Sequence, residues 1–203
     1  AEAHRALGRA YRQKGWIFDA RGAFERAIEI RPDLVDEHLD LASIGLELGA
    51  TQIAEAATDA ALRIEPDNAR GLVYKGMVFA RRNELPAALA SIRKGLAVSP
   101  EMAEGHLALG NVYRLQGQTE QAAIAYRKAV AIEPGLAEAY VALGALAIDE
   151  GRPDEALQSF QAAVAANARH VLARVSLARL FASQGKFDDA ITTLEAIPQG
   201  RVP

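Results

Sequence analysis

Apolar residues recur along this chain every three to four positions, and glycine and proline break the pattern at regular points. In one stretch Leu107, Leu109, Val112, Tyr113 and Leu115 form an apolar stripe with this spacing, which predicts an amphipathic helix. That helix is expected to end near Gln116, with Gly117 as the left-handed residue behind it. Thr119 reads as the N-cap of a second helix that runs to about Ile132 and is stopped by Pro134. No segment alternates with the two-residue period of a half-buried strand, so the class is all-α, with twelve helices expected.

The same pair of helices returns every 34 residues. Stepping from Ala122 in both directions meets Ala20, Ala54, Ala88, Ala156 and Ala190. The Gly117 station reads Gly15, Gly49, Asn83, Gly117, Gly151 and Gly185, and Asn is the non-glycine residue that best tolerates positive φ. Pro32, Pro66, Pro100 and Pro134 close the first four units, and Ala168 stands in for proline in the fifth. Pro86 and Pro153 fall at second-helix starts, where a missing N–H does no harm. The units run about 1–34, 35–68, 69–102, 103–136, 137–170 and 171–203, which we read as one domain over 1–203. Small residues at the Gly8 and Ala20 stations are where two helices are expected to approach, and the Tyr11 and Phe24 stations fill the space beside them.

A 34-residue helix–turn–helix unit with Leu7, Gly8, Tyr11, Ala20, Phe24, Ala27 and Pro32 resembles the tetratricopeptide repeat. The fourth unit repeats the pattern in Leu109, Gly110, Tyr113, Ala122, Tyr126, Ala129 and Pro134. The second departs from it, with Gly45 at the Tyr station and Thr58 at the aromatic one, and the third puts Lys75 in the Leu station. Lys75 therefore suggests a looser or functionally altered unit. The resemblance implies a right-handed α-solenoid of six repeats whose first helices line a concave groove for a peptide or helix of a partner protein.

Composition narrows the chemistry. The net charge of −3 gives no general reason to bind nucleic acid. With no cysteine there is no disulfide, thiolate metal site or catalytic cysteine, and the chain suits cytoplasm and periplasm alike. No apolar run is long enough to span a membrane, so direct insertion is not expected. His4, His38 and His106 share one station, but equivalent atoms of stacked repeats lie roughly 10 Å apart or more, too far to share a metal. No serine sits in a nucleophile elbow, and no phosphate-binding loop is present. Asp33, Asp36 and Glu37, like Asp188 and Asp189, read as helix-dipole partners and caps. No catalytic residue, metal site or cofactor is assigned, and the chain is read as a non-enzyme.

What remains is a binding surface. At positions that the resemblance implies face the groove, Arg5, Arg9 and Arg12, with Arg70 and Arg81 nearby, are expected to grip an acidic group or C-terminal carboxylate of a protein or peptide, because the guanidinium fork binds carboxylates through two N–H groups. Tyr74, Met77, Leu107 and Val141 are the apolar positions expected to take the partner's side chains, with Asn111 and Arg114 beside them. The chaperone-binding carboxylate clamp of the family is not reproduced, since Asp40 stands where that clamp has an amide. Ile191, Leu194 and Ile197 carry apolar surface at the last repeat, which suggests either further chain or self-association into a homo-oligomer. Two alternatives to a groove-binding scaffold stay open. One is a targeting module of a larger glycosyl- or sulfotransferase, and the other is a self-assembling scaffold in bacterial cell-envelope or secretion machinery.

Overall fold

In a computed structural model, residues 1–197 form twelve α-helices, and no strand occurs among these described residues. The helices are α1 (Glu2–Gln13), α2 (Ile17–Ile30), α3 (Val35–Glu47), α4 (Thr51–Ile64), α5 (Ala69–Arg81) and α6 (Leu85–Val98), then α7 (Ala103–Leu115), α8 (Thr119–Ile132), α9 (Ala137–Asp149), α10 (Pro153–Ala166), α11 (Val171–Ser183) and α12 (Phe187–Glu195). Odd-numbered helices are the first of each repeat, and even-numbered ones the second. Contacts divide the chain into two compact units, residues 1–100 and 101–203.

Turns inside the repeats follow the sequence closely. Gly15, Gly49, Gly117, Gly151 and Gly185 have φ between 69° and 77°, and Asn83 takes the same conformation at 62°. At Gly117 an added Cβ would meet nothing within 4 Å, so the station demands a positive φ rather than space. One local expectation changes. Thr119 is the first residue of α8, Gln118 is its N-cap, and no side chain caps the helix. Thr119 already has helical φ/ψ, from which its hydroxyl cannot reach the free N–H groups ahead of it.

Packing within each repeat is decided by the fit between two stations. A Cβ on Gly8 would lie 2.7 Å from the Phe24 ring, and one on Gly110 or Gly144 would lie 2.5 Å from the rings of Tyr126 and Phe160. Gly76 meets Ile92 in the same way. The missing side chain on the first helix thus makes room for the large one on the second. Alanine replaces the glycine at Ala42, opposite the smaller Thr58, and at Ala178, opposite Leu194, which is 43% exposed. The second repeat pairs differently: a Cβ on Gly45 would lie 2.7 Å from the backbone nitrogen of Ala54, so α3 and α4 touch nearly backbone to backbone. In the same repeat the Thr58 hydroxyl is buried without a hydrogen-bond partner.

Successive repeats stack through the next first helix. In the second unit, Leu146 and Leu143 of α9 pack on Ala122, Ala123 and Tyr126 of α8. Leu177 and Leu180 of α11 pack likewise with Phe160 and Ala163 of α10. Lys75 does not loosen its repeat: its ammonium sits 2.7 Å from Asp59 and 3.6 Å from Glu55 on α4, and 5.1 Å from the centroid of the Phe79 ring. Arg82 adds a contact of 2.7 Å to Glu55, so a charge cluster takes the place of the leucine contact.

Two substitutions in the second repeat should act with opposite signs. Gly45→Ala forces backbone apart and should cost about 1–3 kcal/mol. Thr58→Val removes an orphaned hydroxyl and should raise stability by about 1 kcal/mol or more. Urea unfolding followed by circular dichroism reads both.

Candidate protein-binding surface

Glu37 is the residue around which the first-helix face of α1, α3 and α5 is organised. Its station holds Gly71, Gly105, Ala139 and Ala173 in later repeats, all small and all buried. A carboxylate at such a position is removed from water, and Glu37 is 0% exposed. Burying that charge requires a cation, and α1 supplies it. Arg5 Nε donates to Glu37 Oε1 at 2.5 Å, and an Arg9 Nη reaches the same oxygen at 3.5 Å. Glu37 Oε2 is buried with no partner. Hydrogen bonds to Glu37, and then to Glu2, raise the Arg5 pKa above its ordinary value. Glu37 is therefore an ion-pair partner across repeats, beyond the dipole and capping role expected of it.

A second carboxylate ties the next layer. Asp40 accepts from Arg70 at 2.8 Å, while its backbone carbonyl accepts from Arg12 at 3.4 Å. Arg12 also donates to Ser43 Oγ at 2.7 Å, and its contact with the Asp40 carboxylate is a looser 3.8 Å. Arg70 donates to Tyr74 Oη at 3.1 Å, with its guanidinium 5.3 Å from the ring centroid. Between these side chains lies an open cavity of about 520 Å3 lined by Arg9, Arg12, Gln13, Asp36, Asp40 and Arg70.

Of the five arginines expected to act together, Arg9, Arg12 and Arg70 line this cavity, and Arg5 lies outside its lining, held on Glu37. Arg81 is elsewhere: it donates to the Leu46 carbonyl at 2.5 Å and borders a separate hollow of about 360 Å3 with Arg82, Glu55, Gln52, Thr51 and Gly49. The apolar positions are engaged in packing. Tyr74 is buried beneath Arg70, and Val141 belongs to the core around Phe160 and Leu177. Leu107 leans on the Tyr126 cluster, and Met77 is half-buried. Asn111 accepts the Tyr126 hydroxyl at 2.8 Å, and Arg114 is exposed. Burial raises the Tyr126 pKa against the opposing effect of Arg114, so the hydroxyl keeps its proton and donates. Tyr74 and Val141 thus present almost no free surface, because residues of neighbouring helices cover them.

Two of the histidines, His38 and His170, hold backbone groups. His38 Nε2 lies 2.9 Å from the Pro32 carbonyl, and His170 Nδ1 caps α11 by accepting from the Ala173 N–H at 3.1 Å. Among the described residues no cluster of three or more His, Asp or Glu side chains is placed to hold a metal, and no helix is long and apolar enough to cross a membrane.

Profiles described as tetratricopeptide repeat match residues 1–34, 39–97 and 147–201, and one described as TPR repeat matches 110–147. The chain belongs to the tetratricopeptide repeat family. No curated protein sequence matches it. Among solved structures, TTC0263, a thermophilic TPR protein of Thermus thermophilus, is 25% identical, covering 89% of this chain and 98% of its own with a TM-score of 0.80. PilW, a type IV pilus biogenesis factor, is 20% identical over 95% of this chain and 89% of its own, with a TM-score of 0.71. The Cut9–Hcn1 hetero-tetramer of APC/C contains a chain 17% identical, matched over 95% of this tetratricopeptide protein and 38% of that chain, with a TM-score of 0.79. The last two likenesses are of fold.

The Arg5–Glu37 pair generates a stability prediction. Arg5→Leu strands a buried carboxylate and should lower stability, by less than the loss of every cation would because Arg9 remains near. The double substitution Arg5→Leu with Glu37→Ala removes both charges and should recover most of that loss. A double-mutant cycle by urea unfolding measures the difference.

Proposed function

We propose that this tetratricopeptide repeat protein holds a partner protein on the face of α1, α3 and α5, with an acidic side chain or C-terminal carboxylate seated in the arginine cavity. The repeats and the structural neighbours support a protein-interaction scaffold, and such folds are typically non-enzymatic.

The observation that carries the finer reading is a surplus of donors in the cavity. Each guanidinium has five N–H groups, and the carboxylates already present engage only a few of them. Arg9 is the freest: its side chain is 53% exposed and its tie to Glu37 is a marginal 3.5 Å. It can turn toward a ligand while Arg5 continues to neutralise Glu37. Asp40 and Asp36 set the selectivity, because an incoming anion must share Arg12 and Arg70 with them. A weak acid group on an otherwise extended segment fits this cavity better than a large apolar side chain does.

Fluorescence anisotropy with a short peptide ending in two aspartates tests the reading, against the amidated bis-asparagine peptide as control. The acidic peptide should bind, its affinity should fall as salt screens the site, and Arg9→Ala should weaken it roughly tenfold or more, the loss of a charge-assisted hydrogen bond. Equal affinity for the two peptides, or no effect of Arg9→Ala, would reject the assignment.

A further inference from the structure

The first and last helices, α1 and α12, expose residues at stations that are buried in other repeats. On α12, Leu194 occupies the station of Phe24, Ile92, Tyr126 and Phe160, all buried, yet it is 43% exposed. Ile191 occupies the station of Ala123 and Leu157, which pack within the clusters formed with the following first helix. Phe187 is also exposed on this helix. Among the described residues nothing lies on this face.

The matching surface is on α1. Leu7 is 41% exposed, whereas Leu177 at the same station is buried against α10. Ala10 is exposed where Ile44, Val78, Val112, Leu146 and Leu180 are all buried. Its small side chain leaves room for another helix to come close. Trp16 borders the same side, half-exposed, its ring 5.7 Å from that of Tyr11 and 5.0 Å from the Lys14 ammonium.

Charge selects which surface meets which. Of the basic residues from Glu2 to Lys14, Arg5, Arg9 and Arg12 are turned to Glu37, Asp40 and Ser43 of α3, and Lys14, beside Trp16, is the one outside that face. α12 carries Asp188, Asp189 and Glu195 and no basic residue. The junction of α4 with α5 shows this polarity in use, with Lys75 and Arg82 of the first helix bound to Glu55 and Asp59 of the second. Lys14 stands at the Arg82 station and Glu195 at the Asp59 station, so each side of the contact keeps the sign it has at α4 and α5. Arg82 and Asp59 pair there with Glu55 and Lys75 and not with each other. At the stations of Lys75 and Glu55 stand Leu7 and Ile191, so an apolar pair replaces a charged one.

We infer that the occupant of the α12 face is α1 of a second copy of this chain, docked as a first helix docks on the second helix of the repeat before it. The contact is head to tail. Such a contact uses two different patches, so each copy keeps one free end and can add another. It is independent of the arginine cavity's ligand.

Light scattering across a concentration series, with two exposed-site variants, tests this. The wild-type mass should rise above 21.7 kDa with concentration. Leu7→Asp and Ile191→Asp should each be monomeric alone, with unchanged circular dichroism. Mixed in equal amounts, they should form a complex of two chains and nothing larger, because one supplies a working tail and the other a working head. Phe187→Asp serves as the tail variant if Ile191→Asp fails to fold. A wild-type mass fixed at one chain at every concentration, association of either variant alone, or a mixture that stays monomeric would overturn the inference and leave the α12 face to another occupant.

Discussion

The approach of two helices at a missing Cβ is the constraint on which this protein rests. Where Gly8, Gly76, Gly110 or Gly144 lies beneath a ring or an isoleucine side chain, the first helix comes close enough to let that side chain be fully buried. The contact sets how near the pair sits, and so which residues are left to meet the neighbouring repeat. It also explains why departures come in pairs. Ala42 is tolerated opposite Thr58, and the space lost at that crossing is recovered by the approach of Gly45 to Ala54. Volume is conserved within the repeat even where its usual residues are absent, as close-packed interiors require.

Electrostatics enters where the apolar rule is broken. Glu37 stands at a small-residue station, and Lys75 at a leucine station. Each would be costly alone, since an unpaired charge out of water is destabilising by several kcal/mol. Each is matched by opposite charges on an adjacent helix: Arg5 and Arg9 for Glu37, Asp59 and Glu55 for Lys75. A buried pair of this kind adds little net stability but discriminates among neighbours, because only one helix carries the matching charge. In the first unit, charge thus reinforces the order in which nearly identical repeats stack. It also leaves an arginine-lined cavity whose donors exceed its acceptors, the feature from which a binding role follows.

Much of the site could be seen in the sequence, and part of it could not. Arg5, Arg9, Arg12 and Arg70 are visible as basic residues on first helices, and the structure brings them together. Their intramolecular partners were less visible. Glu37 resembles an ordinary first-turn acid unless its station is compared with Gly71, Gly105 and Ala173, which reveals a charge in a buried column. Asp40 reads as a departure from a known clamp, and its role as the shared acceptor of Arg12 and Arg70 depends on side-chain reach across helices. Tyr74 and Val141 are apolar in the same way as a ligand-contacting residue would be. Periodicity within one helix cannot say whether such a face looks out or is covered by a neighbour.

The sequence by itself determined the repeat length, the helix pairing, the positive-φ turns and the exchange of small for large residues. All of these follow from local sterics and from patterns read along a single chain. Tertiary structure decided how the repeat's polar exceptions are resolved: which arginine neutralises Glu37, which side chains close over Tyr74, and which apolar stations remain open on α1 and α12. Those outcomes depend on groups about 30 residues apart competing for the same partner. A sequence pattern records the candidates for that competition, and only the packed helices select among them.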